Sequence, residues 1–371
     1  MGSPASEGVM SGLQKTSPGS HKDPGASRVP RVPTQAERQQ QGLEVEHTRR
    51  DPVLLIGHGS SGTSICAGLI RKYCAVAFGN ESQFMLRLAR LSKDWGDLSN
   101  PAVLREAVRR MLAERYFERA ARIYDFHPTL EQIVNRVQQP TIAGIYNALF
   151  ELMADHQGTT RWGDKSPEYM ERLPELAALF PTAQYILMVR DGRDTALSVI
   201  PRYFGPNNLI AAAEEWGETA RHGREFLETI PAERKLVIRY EDLMTDPVQR
   251  LREVMSFLQA QPRDPQMLDR VAAQIRGELK ADNFDKWKKK MSPRDRETFE
   301  AIAGAELKHY GYVTEYDTPR PVTGGQRRVA HLHDQAIRLF HPRFLKDNVY
   351  RARVRLRDWW NRRPGSKSSA E

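Results

Sequence analysis

Twelve residues, Val53 to Ser64, constrain this chain more than any others. Val53-Leu54-Leu55-Ile56 is a short apolar run that reads as a buried strand. Gly57-His58-Gly59-Ser60-Ser61-Gly62-Thr63-Ser64 follows, with three glycines and four hydroxyl side chains. Ile65 to Ile70 then continues as a helix with one apolar face. A strand, a glycine-rich turn and a helix N-terminus together make an anion cradle, because backbone N–H groups and the helix dipole both favour negative charge there. The Gly57-x-x-x-x-Gly62 spacing is that of a Walker A loop, but Thr63 stands where that loop carries lysine. A loop without the lysine suits a ligand with little phosphate beyond the first. An ordinary Ser/Gly turn capping a helix would use the same residues, so the rest of the chain decides.

Downstream, apolar runs alternate with helical patterns. Ala75 to Phe78 reads as a second strand, ending in Gly79-Asn80-Glu81-Ser82. Phe84 to Gln157 reads as mostly helical, with Asn100-Pro101 a good cap and first position. Trp162 to Pro167 reads as a polar loop before a helix at about 167 to 180. Gln184 to Val189 is a buried strand running into Arg190-Asp191-Gly192-Arg193-Asp194 and a helix from Thr195 to about Tyr203. A long helix over about 209 to 228 follows, then a strand at 235 to 240 and a helix at 247 to 258. Asn283 to Met291 is a basic loop with aromatics, and Ser292-Pro293 opens the last core helix. Strands alternating with helices predict an α/β fold with a parallel sheet flanked by helices. Ligands bind such sheets beyond the carboxyl ends of the strands. Polar motifs stand at three of those ends: Gly57 to Ser64, Arg190 with Ser198, and Arg239 to Leu243. Two anion sites on one sheet suggest a ligand with phosphate at both ends.

These pieces resemble the sulfotransferases that use 3′-phosphoadenosine 5′-phosphosulfate, over roughly Val53 to Tyr312. The resemblance rests on Gly59 to Ser64, Asp164-Lys165-Ser166-Pro167, Val189 to Asp194 with Ser198, Arg239-Tyr240-Glu241-Asp242-Leu243, and His309-Tyr310-Gly311-Tyr312. The pattern is nearest the branch holding tyrosylprotein sulfotransferases and many bacterial enzymes. It implies a P-loop-like parallel sheet with a helical insertion on the acceptor side. It also implies roles. Ser60, Ser61, Gly62, Thr63 and Ser64 would hold the 5′-phosphosulfate. Arg190 and Ser198 would hold the 3′-phosphate, with Tyr240 near the adenine or that phosphate. Lys286 or Lys288 would close over the nucleotide. Lys165 would reach the bridging oxygen and the sulfuryl group, and Glu81 would be the general base, with His127 next in line. The resembled pattern carries Arg or Lys where this chain has Ser60, so Lys165 would supply that positive charge alone.

The reaction so implied moves a sulfuryl group to a hydroxyl or phenol acceptor, on a small molecule, a carbohydrate or a peptide tyrosine. No metal is expected, since the leaving group is already a good one and no His/Cys/Asp ligand cluster stands out. The rivals are a kinase on a similar fold, against which the missing lysine argues, and a non-catalytic nucleotide-binding protein, suggested by Ser60.

Composition sets the boundaries. Residues 1–51 are rich in Ser, Gly, Pro and Gln and are expected to be disordered. The catalytic domain is expected over 52–317, and 318–371 is a basic extension. From Arg320 onward there are thirteen Lys/Arg and four Asp/Glu, which equals the whole net charge of +9. The core is therefore near neutral, and nucleic acid is not an expected partner. Leu345, Val349, Ala352, Leu356, Trp359 and Trp360 share a helical face with Arg351, Arg355 and Arg362 beside it. That face suits an anionic membrane surface, an anionic acceptor, or packing on its own domain. No run approaches the ~18 apolar residues of a membrane span, and the N-terminus lacks the apolar stretch of a secretory signal. Cys66 and Cys74 would lie about 12 Å apart on one helix, too far to bridge, so a reducing, cytoplasmic setting is expected.

Overall fold

Strand order is what brings the motifs together. The computed structural model describes residues 33–202, 205–279 and 283–340, with 344, 349, 352–356 and 358. Its strands are β1 (Val45–His47), β2 (Val53–Gly57), β3 (Val76–Phe78), β4 (Arg161–Lys165), β5 (Gln184–Val189), β6 (Lys235–Arg239) and β7 (Ala260–Pro262). Five of them form a sheet in the order β3-β4-β2-β5-β6, and every pairing in it is parallel. All five carboxyl ends therefore open on one edge.

The period of two in β2 divides the core. Leu54 and Ile56 face one apolar cluster with Tyr185, Leu187 and the helices of the 84–157 insertion. Val53 and Leu55 face another with Ile186, Met188, Ile238 and the helices Thr63–Tyr73 and Pro247–Leu258. A central parallel strand buried on both faces must be apolar throughout, and β2 is.

β4 corrects the sequence reading. Arg-Trp-Gly-Asp-Lys has a loop's composition, yet it is an interior strand. Its buried polar groups find partners outside the strand. The buried Arg161 guanidinium donates to the Asp51 carbonyl at 2.7 Å, the Leu258 carbonyl at 2.9 Å and the Gln184 amide oxygen at 2.6 Å. Burial lowers its pKa to about 10.

Contacts with the core reach beyond 52–317 on both sides. Of the segment expected to be disordered, residues 33–51 are ordered. Thr34 caps a helix at Gln35–Gln40 with a full capping box, Arg38 donates to the Arg71 and Lys72 carbonyls, and β1 pairs with β7. Leu43 and Val45 add apolar contacts to the same cluster as Val53 and Leu55. Residues 1–32 lie outside the described residues. At the other end, a helix at Gly324–Phe340 packs on the helix Leu209–Glu228. Phe344 is buried and Asp358 pairs with Arg87. The tail expected as an extension thus makes contacts with the domain. Of its expected apolar face, Leu345, Trp359 and Trp360 lie outside the described residues, as do Arg351 and Arg362.

Candidate active site

The cradle is built by backbone conformations that side chains would obstruct. Gly57 ends β2 at φ +153°, where a Cβ would press on the Met188 carbonyl. Gly62 sits at φ +97° as N-cap of the Thr63–Tyr73 helix, and a Cβ there would enter the Tyr240 ring. Between them Ser60 takes the left-handed region at φ 69°, an uncommon state for a residue with a Cβ. Thr63 and Ser64 open the helix, so their N–H groups have no intrahelical acceptor. The Ser61 hydroxyl is buried among them without a hydrogen-bond partner. A buried hydroxyl with no protein partner, beside free N–H groups, fits an anion's oxygens. His58 Nε2 lies 3.1 Å from the Glu215 carboxylate at the turn's edge.

Arg190 leaves β5 and ties this turn to the segment after residue 282. Its guanidinium donates to the Ser60 carbonyl at 3.2 Å and the Asn283 carbonyl at 2.8 Å, with Nε buried and unpartnered. The group lies over the Tyr240 ring, 4.6 Å from its centroid. The Asn283 amide in turn donates to the Tyr240 hydroxyl at 2.8 Å. Lys286 donates to the Asn283 side chain at 2.5 Å, and Lys288 pairs with Asp285 at 2.8 Å. Both lysines are exposed, on either side of a buried Trp287. Below them Arg193, 1% exposed, bridges Asp191 and Glu300 and stacks on Trp287 at 3.5 Å. Glu241 accepts from the Asp191 N–H at 3.0 Å and the Tyr312 hydroxyl at 2.8 Å, and burial raises its pKa.

On the opposite side of the cradle, β3 and β4 end side by side. Glu81 follows β3 and Lys165 closes β4, and their side chains form an ion pair. The residues next to them in sequence lock this pair from below. Ser82 donates to Asp164 Oδ2 at 2.5 Å, the Tyr169 hydroxyl donates to the same oxygen, and the two hydroxyls are 2.8 Å apart. All three are buried. Burial raises the Asp164 pKa to about 6, against the opposing effect of Ser82, Tyr169 and Lys165. A carboxylate and an ammonium thus stand one strand away from a cradle for anions, on β2's neighbour β4 and the next strand β3.

A model described as the sulfotransferase family matches residues 52–264, more than half of the chain. The chain belongs to that family. It is 25% identical over 225 residues to protein-tyrosine sulfotransferase A of Caenorhabditis elegans, covering 57% of this chain and 51% of that protein. It is 24% identical over 223 residues to protein-tyrosine sulfotransferase 2 of Gallus gallus, covering 58% and 53%. The chain spans about half the length of these curated relatives. Among solved structures, the sulfotransferase domain from the curacin biosynthetic pathway aligns at TM-score 0.40 and 19% identity, over 77% of this chain and 98% of that one. Sulfotransferase STF9 from Mycobacterium avium aligns at 0.39 and 14%, over 76% and 82%.

Within this chain the sequence-picked residues divide into groups. Ser60 to Ser64, Arg190 and Tyr240 meet around one turn, and Glu81 meets Lys165. Lys286 and Lys288 stand at the rim. The helix that carries Ser198 begins at Gly192, not Thr195, so Ser198 is its seventh residue, near the end of the second turn. His127 is exposed beside Asp125, with 67% of its side chain accessible. The residues left without a role by the sequence reading are Ser82, Asp164 and Tyr169, which seat the pair, and Asn283, which joins Arg190 to Tyr240. Ser82 had no signal beyond its place next to Glu81, whereas Asp164 opens the Asp164–Pro167 motif.

Proposed function

We propose that this chain transfers a sulfuryl group from 3′-phosphoadenosine 5′-phosphosulfate to a hydroxyl or phenol acceptor. The observation that carries the reading is the Glu81–Lys165 pair at the strand ends beside the Gly57–Ser64 cradle. Ser61, with its unpartnered buried hydroxyl, and the N–H groups of Gly62, Thr63 and Ser64 would receive the 5′-phosphosulfate. Arg190, from β5, would face the 3′-phosphate through its unpartnered Nε, with Ser198 further along the helix and Tyr240 beneath. Lys286 and Lys288 would lie over the nucleotide.

Glu81 takes the acceptor's proton as the acceptor oxygen bonds to sulfur. The bond from sulfur to the bridging oxygen breaks, and its electron pair leaves on the 5′-phosphate of adenosine 3′,5′-bisphosphate. Lys165 steadies the negative charge growing on that oxygen. Such transfer depends on positioning and on fixed charge along an in-line path. With serine at position 60, Lys165, at the end of the strand beside β2, would supply the positive charge. Among the described residues no group of three His, Cys, Asp or Glu side chains is arranged to hold a metal ion.

The helical insertion over 84–157 would shape the acceptor pocket. The names of the curated relatives make a peptide tyrosine the first acceptor to test, with carbohydrates and small hydroxylated molecules after it. The domain assignment is a catalytic unit that begins near residue 33 and includes β1.

Calorimetric titration separates this reading from a kinase. Adenosine 3′,5′-bisphosphate should bind more tightly than ATP, because the cradle lacks the lysine that grips β- and γ-phosphates. Tighter binding of ATP would overturn the donor assignment.

A further inference from the structure

The helix Gly324–Phe340 is docked with its polar face inward. Toward the helix Leu209–Glu228 it presents Arg327 and His331, which both pair with Glu214, the latter at 3.0 Å. Asp334 accepts from the Asn207 backbone at 2.7 Å and its side chain at 2.8 Å, and Asn208 donates to the Ala330 carbonyl at 2.8 Å. Arg338 pairs with Asp334 at 2.7 Å. At about 100° per residue, Arg327, Ala330, His331, Asp334 and Arg338 occupy one arc. Val329, Leu332, Ala336, Leu339 and Phe340 fall on the arc diametrically opposite. They face solvent: Val329 is 68% exposed and Phe340 82%. A helix on a water-soluble surface ordinarily buries that stripe and wets the other. Here four large apolar side chains stand in a row over the length of the helix, with nothing of the described chain over them.

We infer that this stripe is a docking face for an anionic lipid surface. Charge selects the occupant. The segment from Arg320 to the C-terminus carries thirteen Lys/Arg against four Asp/Glu. The exposed Arg328 flanks the stripe. Two copies meeting through this face would bring two such basic segments together. An anionic bilayer instead takes the apolar stripe at the acyl boundary and the basic residues at the headgroups. The contact lies on the surface: among the described residues no helix is long and apolar enough to cross a membrane. The polar clamp through Glu214 fixes the stripe's outward direction, and neighbouring Glu215 reaches His58 of the cradle turn. Docking would therefore hold the domain at the membrane through a rigid helix. This inference is independent of the donor and of the reaction.

The test is flotation of the full chain with vesicles of phosphatidylcholine, alone or with about one third phosphatidylserine. A Leu332→Glu/Phe340→Glu variant changes only exposed positions on the stripe. The wild type should float with the anionic vesicles and not with the neutral ones, and the variant should bind at least about tenfold more weakly. The variant's circular dichroism and affinity for adenosine 3′,5′-bisphosphate should be unchanged. Failure of the wild type to bind anionic vesicles would overturn the inference, as would equal binding by the variant. A wild-type dimer that the variant converts to monomer would reassign the stripe to self-association.

Discussion

Replacing Asp164 by asparagine should remove a defined part of the protein's pH-dependent stability. The carboxyl group is buried between Ser82 and Tyr169, and burial raises its pKa from 3.8 to about 6. A raised native pKa means the folded state holds its proton to higher pH than the unfolded chain does. The stabilisation is fully present below 3.8 and is lost as pH rises through about 6. At ~1.4 kcal/mol per pH unit of displacement, the change from the acid to the neutral plateau is roughly 3 kcal/mol. Asparagine keeps an oxygen for the Ser82 and Tyr169 hydroxyls, but it puts an amide N–H where Asp164 Oδ1 has no partner. That unmade bond costs about 1–3 kcal/mol at every pH. The variant is therefore less stable by about 1–3 kcal/mol near pH 4, and above pH 7 it equals wild type or exceeds it by up to about 2 kcal/mol. Denaturant unfolding of both proteins, at steps from about pH 4 to about pH 7.5, measures the difference directly. Stability curves that run parallel across this range would refute the reasoning, because the Asp164 proton would then not be linked to folding.

Two further substitutions probe the cradle. Gly62→Ala places a Cβ at φ +97° against the Tyr240 ring. It should cost about 2–4 kcal/mol of stability from backbone strain and displaced packing, read by thermal unfolding, with a parallel loss of nucleotide affinity. Wild-type stability in that variant would contradict the tight approach of Gly62 to Tyr240. Arg190→Ala removes the donor shared by Ser60 and Asn283. Affinity for adenosine 3′,5′-bisphosphate should fall by about 2 kcal/mol or more, with less discrimination against nucleotides lacking the 3′-phosphate. Unchanged affinity in calorimetry would remove Arg190 from the donor site.

Much of this fold is written in local pattern. β2, β5 and β6 are apolar or β-branched runs beside turn residues, and the helices at 209–228 and 247–258 carry Asn208 and Asp246 as caps. These elements stand where the periodicity puts them. β4 is illegible for a physical reason: its Arg161 and Asp164 are buried charges whose partners come from Asp51, Leu258, Gln184, Ser82 and Tyr169, all remote in sequence or outside the strand. Docking of residues 33–51 was hidden likewise, since Arg38 is held by two carbonyls on the cradle helix. The site was legible where a motif ends a strand. It was illegible where a second contact decides its geometry, as with Asn283 joining Arg190 to Tyr240.

In the proposed reaction Glu81 serves as base for sulfuryl transfer at the cradle. The most direct measurement is single-turnover transfer from sulfur-labelled 3′-phosphoadenosine 5′-phosphosulfate to a tyrosine-containing peptide or a simple phenol, by wild type and Glu81→Gln at neutral pH. Glutamine keeps the side chain's shape and can still lie against Lys165. The transfer rate should fall by about 10²–10⁴-fold, the usual contribution of a positioned base, with donor affinity little changed. A phenol of lower pKa should lose less, since it needs the base less. Near-full transfer by Glu81→Gln with chemistry rate-limiting would show that the base is not Glu81.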